Sequence, residues 1–248
     1  MHNLVRGAET MQFIEPSMLG VRSARLSFAT STSSTRVTLF PMVHVGEADF
    51  YEVTYADALA HEVVFIEGVR SPITTRVTRS YRWLVGSRSM AGLIVQPRFP
   101  AGQGPARVIH ADLTGEEFAR EWSAVPLWMR AAIYVLAPLI GLHRRWFSSR
   151  SKLADSMRCE DQPTIAELLA MTPESGALTQ AILHSRDERL LTRLRTELDS
   201  DMHGPRTIAV VYGAAHMRAV VRELTTKRGF FVAGAAWRTV LSLERGSG

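Results

Sequence analysis

The chain reads as an α/β protein: a central, mostly parallel sheet with an antiparallel hairpin at its edge, helices on both faces, and a helical insertion around residues 115–150. Three observations predict this. Residues 37–40, 63–66 and 208–212 are short, apolar, partly β-branched runs, the pattern of strands buried on both faces. Each leads through a turn into a segment with helical features, as βαβ units require. Residues 21–30 instead alternate like a half-buried strand and continue into the polar loop at 31–35, which suits a hairpin at a sheet edge.

Residues 1–20 are weakly patterned and read as an arm. After the hairpin, the strand at 37–40 runs through Pro41 to His44, and a helix-like segment covers 47–61. The run at 63–66 ends on Glu67 before Gly68. Pro72 then suits the first turn of a helix carrying Arg76, Arg79, Arg82, Tyr81, Trp83 and Leu84, with Arg70 before it and Arg88 after. A solvated helical face explains those arginines more simply than a basic wall for an anionic substrate. Three prolines and two glycines make 96–106 a loop. A short strand follows at 107–110, flanked by His110 and Asp112, either structural or at the outer tier of a site. Thr114 and Glu117 have capping-box spacing, so a helix starts there and Asp112 is not needed as its cap.

Residues 125–142 are the most apolar window. Arg130, Pro126 and Pro138 interrupt it, and charge near the middle of a span is costly, so a membrane crossing is not expected. Arg144, Arg145, Trp146 and Arg150 follow. Two readings stay open for 125–150: a segment lying on anionic lipid, or a lid or homodimer surface inserted into the domain, which is preferred.

Pro163 and Pro173 each suit a helix start. The second helix runs through Leu178, Ile182, Leu183, Leu190, Leu191, Leu194 and Leu198, with its apolar stripe interrupted at 184–189. The strand at 208–212 reaches Gly213, then His216, and a helix follows with Met217, Val220, Val221 and Leu224 on one face. Gly229 suits its C-cap. A strand at 230–232, a second at 237–243 and a frayed tail at 244–248 complete the chain.

A content of 46% hydrophobic and 21% charged residues over 248 positions supports one globular domain spanning 1–248, with 115–160 as its helical insertion or lid. The net charge of +5 comes almost entirely from arginine, since Lys152 and Lys227 are the only lysines, and these arginines are scattered. With no binding motif beside the charge, a nucleic-acid partner is not expected. Cys159 is the single cysteine, which excludes an intrachain disulfide and any multi-cysteine zinc site. Residues 1–10 lack the apolar run of a signal peptide, so a cytoplasmic protein is expected, with peripheral membrane contact open through 125–150.

His44, Glu67 and His216 each end an apolar strand, and in one parallel sheet they converge on one edge. At these residues the chain resembles the TraB/PrgY/GumN family, which includes the Tiki metalloproteases and belongs with the erythromycin-esterase and ChaN-like group. The likeness rests on residues 39–46 with Phe50 and Tyr51, on 64–68, on His110, Ala111, Asp112, Leu113 and Thr114, and on 212–217 with its Gly-x-x-His. Pro41 stands where the family usually has glycine, and Ser185 where it often has glutamate. The resemblance implies a hydrolase of peptide or ester bonds with His44, Glu67, Arg186 and His216 as site residues. Arg186 followed by Asp187 matches the arginine and following Asp or Asn that the family carries before its last histidine motif, with Arg189 as the rival arginine. His44, Glu67 and His216 would then be ligands of a divalent metal (Mn, Co or Zn) that activates water, and Arg186 would hold an oxyanion or a substrate carboxylate. A metal-free version, in which His44 or Glu67 activates water directly, stays open. Two other classes also stay open: a small-molecule or haem-binding protein using Tyr51 or Tyr212, and a non-catalytic signalling or membrane-associated regulator.

Overall fold

The computed structural model describes residues 11–69, 71–157, 183–200 and 206–243, with backbone alone at 76–80 and 144. Outside the described residues lie the first ten residues of the expected arm, Arg70, Cys159, the helix starts at Pro163 and Pro173, the first half of the long helix and the C-terminal tail.

The fold is mixed α/β. Strand β1 (Ile14–Ser17) turns into β2 (Gly20–Ala29), which forms an antiparallel hairpin with β3 (Arg36–Met42). Strand β4 (Val45–Glu47) and helix α1 (Ala48–Leu59) lead to β5 (Val63–Ile66); then come α2 (Pro72–Val85), β6 (Leu93–Val95) and β7 (Arg107–His110). Helices α3 (Gly115–Ala124), α4 (Leu127–Phe147) and α5 (Arg150–Met157) form the insertion. After α6 (Ser185–Leu198) come β8 (Thr207–Gly213), a short turn of helix at Ala214–His216, α7 (Met217–Arg222) and β9 (Phe231–Ser242). The main sheet runs β1-β2-β3-β8-β5-β7, with β9 also paired to β2. Strands β3, β8, β5 and β7 run parallel, so the chain passes from one to another by crossover connections rather than by hairpins.

The apolar runs become the middle of this sheet. Val37, Leu39, Val64, Phe65, Ile208, Ala209 and Val210 are fully enclosed, as strands covered on both faces must be. Pro41 is tolerated because the β2–β3 ladder ends at the Leu26–Leu39 pair, and its carbonyl accepts from Ser23 Oγ at 2.6 Å. The helix signals hold: Ser71 caps α2 with Pro72 behind it, and Thr114 and Glu117 exchange both capping-box bonds at 3.2 and 2.8 Å.

The sheet is antiparallel at one edge, as expected, but the strand at 21–30 is not the outermost one. Strand β2 is interior, with β1 and β3 along one side and β9 along the other. In place of the two strands expected at 230–232 and 237–243, residues 231–242 form one twelve-residue strand that covers β2, which moves the edge to β9. Residues 14–17 belong to the sheet rather than to an arm, anchored by buried Phe13 and Ile14. Gly20 permits the turn into β2 at φ +152°, where a Cβ would stand 2.2 Å from the Leu241 carbonyl. Strands β4 and β6, too short to show alternation, form a separate two-stranded ribbon.

Most buried apolar residues form one core around the sheet; Leu113, Phe118, Trp122, Val125, Met129 and Ile133 form a second, smaller core under the insertion. No single helix among the described residues is long and apolar enough to cross a membrane.

Candidate functional site

The carboxyl ends of the four parallel strands share one edge, where open α/β sheets gather their ligands. The registers align Met42 with Gly213, Val211 with Ile66, and Ile66 with His110. One to three residues beyond these pairs come His44, His216, Glu67 and Asp112. Helix α6 brings in two more groups. Its buried face is Leu190, Leu191 and Leu194, and Arg186 and Asp187 lie one turn earlier on that same face. Packing the leucines therefore leans Arg186 and Asp187 over the sheet edge.

Arg186 ties the edge together. Its Nε donates to Asp112 Oδ1 at 2.9 Å, and its Nη2 donates to Asp112 Oδ2 at 2.7 Å and Glu67 Oε1 at 2.6 Å. Asp112 also accepts from the Gly68 and Leu113 amides at 2.9 and 2.8 Å, and its side chain has no solvent exposure. The other Glu67 oxygen accepts from the Gly213 amide. Glycine is needed at 213 for space: a Cβ would lie 3.0 Å from Glu67 Oε2 and 3.5 Å from His216 Cδ2.

His216 is buried, and its Nδ1 lies 2.6 Å from Asp187 Oδ1. A carboxylate oxygen accepts, so this contact assigns the ring proton to Nδ1 and leaves Nε2 as the acceptor nitrogen. The imidazole stands edge-on to the Tyr212 ring, centroids 5.0 Å apart, and the Arg186 guanidinium covers the same ring at 5.7 Å. His44 is solvent-exposed at the mouth, with its ring 5.1 Å from Tyr81 of α2 and its carbonyl accepting from the Gln96 amide at 2.9 Å.

Charge states follow from this enclosure. Burial opposes ionisation of Glu67, yet Arg186, His216 and His44 outweigh it and hold the carboxyl below its ordinary value. Burial likewise opposes ionisation of Asp112, and the Arg186 fork with two backbone amides overrides it. His44, although its ring reaches solvent at the mouth, is held below its ordinary value because the surrounding protein withdraws part of its hydration, against the pull of Glu67.

Thus His44, Glu67 and His216 reach one edge as expected, and Arg186, not Arg189, joins them; Arg189 instead pairs with Glu117 of α3. Two expectations about chemistry meet a different arrangement. Arg186 spends its Nε and Nη2 on Asp112 and Glu67, leaving only Nη1 uncommitted among the described residues. Glu67 has an oxygen on Arg186 and the other on Gly213, and among the described residues no group of three His, Cys, Asp or Glu side chains is arranged to hold a metal. The three-ligand set therefore does not fit a metal in this arrangement. Asp187 and Asp112 carry more of the geometry than the sequence suggested: Asp187 entered only as the residue following the matched Arg186, and Asp112 only as a strand-end carboxylate not needed as a helix cap.

His110 is exposed at the end of β7, 3.8 Å from the Cβ position of Gly68. Tyr51 and Tyr212 are fully buried, with burial pushing both phenols up, and Tyr51 donates to the Val43 carbonyl at 3.0 Å. A haem iron would find no accessible phenolate at either. Comparison with family models, with curated proteins and with solved structures found no match.

Proposed function

We propose that the protein is a hydrolase of peptide or ester bonds, of the kind implied by the resemblance to the TraB/PrgY/GumN family, and that His216 is its general base. The observation that carries this is the Asp187–His216 pair at 2.6 Å, set against Gly213 and Glu67 at the carboxyl edge of the sheet. In this reading Asp187 holds the imidazole in the tautomer with a basic Nε2, which removes a proton from the attacking water and later returns it to the leaving group. Glu67 stabilises the imidazolium formed in between, because His216 lies within its field. Arg186 and Asp112 are positioning residues: they keep Glu67 ionised and fixed against Gly213. His44, exposed at the mouth beside Tyr81, is the side chain that meets the substrate first.

The test is a panel of chromogenic esters and quenched-fluorescent peptides, run with chelator and again with manganese, cobalt or zinc. Turnover that survives chelator and disappears in His216→Ala and Asp187→Asn supports the dyad. Full activity in both variants overturns it. Turnover only with added metal, lost in His44→Ala, His216→Ala and Glu67→Gln alike, would mean that Glu67 exchanges Arg186 for the cation on loading.

A further inference from the structure

We propose that the outer face of α4 rests on an anionic lipid surface. The inference is independent of the hydrolase reading. Helix α4 has two apolar faces. Met129, Ile133, Ala137 and Gly141 recur every fourth residue and are buried, Met129 and Ile133 within the small core of the insertion. On the opposite side Trp128, Val135, Leu139, Leu142 and Trp146 fall at i, i+7, i+11, i+14 and i+18, which a helix aligns as one stripe. These five are exposed, Leu139 at 56% and Trp146 at 71%. The stripe is about 27 Å long at the rise of a helix, no charged residue falls within 131–142, and all five of its side chains reach solvent.

Soluble proteins rarely expose a contiguous apolar strip of this size without a use for it. The residues around it decide which use. No Asp or Glu occurs anywhere in 122–154, whereas Arg130, Arg144, Arg145, Arg150 and Lys152 do. At the C-terminal end, Arg145 lies against Gly86, which caps α2, where a Cβ would be 3.1 Å from its Nη1, with exposed Arg82 and Arg88 on either side of that glycine in the chain. Arg82, Arg88 and Arg145 form no ion pair among the described residues. A tryptophan near each end, aliphatic side chains between them and unpaired arginines at one end match the layering of an anionic membrane interface. A second copy of the chain matches less well: two α4 faces packed together would set the same acid-free segment opposite these cations and offer them no carboxylate. The face also has a relation to the site, since α4 packs along α2, and Tyr81 of α2 touches His44.

The experiment is flotation of the purified full chain with phosphatidylcholine vesicles, with and without phosphatidylglycerol, at low and high salt. Binding is expected only to the anionic vesicles and is expected to weaken with salt. Leu139→Glu and Trp146→Ser should each lower the partition coefficient by about tenfold or more. Arg145→Glu should remove the preference for anionic lipid, and Val53→Glu, on exposed α1 surface, should change nothing. All four positions are exposed, so unchanged circular dichroism melts are expected alongside. Failure of the wild type to float, or equal flotation by all variants, overturns the proposal. So does a dimer by light scattering that Leu139→Glu dissociates without any vesicle binding, which would assign the face to a second copy.

Discussion

Arg186→Met tests the linchpin of the site edge. The guanidinium neutralises two carboxylates at once, Asp112 with no side-chain exposure and Glu67 with 14%. Removing it leaves both in a medium where ionised groups are poorly solvated. Breaking a buried ion pair from one side costs about 3–5 kcal/mol. Surviving amide donors from Gly68, Leu113 and Gly213 soften the loss, so the lower half of that range is expected. For a chain of this size the melting temperature should fall by on the order of 10 °C. The effect also has a sign in pH. In the wild type both carboxyls are held below their ordinary values, so the stability they contribute is complete above about pH 4 and is lost as pH falls through the depressed values. Without Arg186, burial becomes the dominant influence on both and raises them; the variant then gains from protonation as pH falls from 7 to 5. The stability difference between variant and wild type should therefore shrink over that interval. Urea denaturation followed by circular dichroism at pH 7 and pH 5 measures it. A loss below about 1 kcal/mol at pH 7, typical of a surface pair, with parallel pH dependence in the two proteins, would refute the view that these charges are buried and mutually dependent.

Three further outcomes are expected. Gly213→Ala should cost about 1–3 kcal/mol in urea denaturation, because Glu67 is pinned by Arg186 and cannot retreat from a methyl 3.0 Å away; wild-type stability would mean the edge is loosely packed. Asp187→Asn should lower kcat by roughly 10²–10⁴-fold with little change in KM on any substrate the wild type hydrolyses, and an unchanged kcat would remove His216 as base. The His44 ring should titrate below its ordinary value by NMR, and in Glu67→Gln lower still, since Glu67 is the group that raises it. As a depressed histidine, His44 contributes stability that is present above about pH 6.5 and lost on acidification; an upward shift in Glu67→Gln would contradict the electrostatic account.

The central strands, the capping box and the strand-end histidines are local facts of the sequence. An apolar β-branched run at 208–212 followed by Gly213 needs no distant partner to declare a buried strand and a turn, and Thr114 and Glu117 declare a helix start within one turn. From there the convergence of His44, Glu67 and His216 required only that the strands be parallel neighbours. What no local pattern holds is long-range pairing. Which strand lies at the edge depends on whether 231–242 reaches back to β2, more than two hundred residues away in the chain, and that is set by competition among whole strands for the same hydrogen-bonding side. Arg186 shows the same limit within the site: its planar fork and permanent charge suit a substrate oxyanion and a pair of carboxylates equally well. Only the folding of α6 over the sheet, driven by burial of Leu190, Leu191 and Leu194, brings Asp112 and Glu67 within 2.6 to 2.9 Å of it and turns a candidate ligand-binding cation into the brace of the edge. Side-chain type limits what a residue can do; the free energy of packing elements far apart in sequence selects which of those uses it takes.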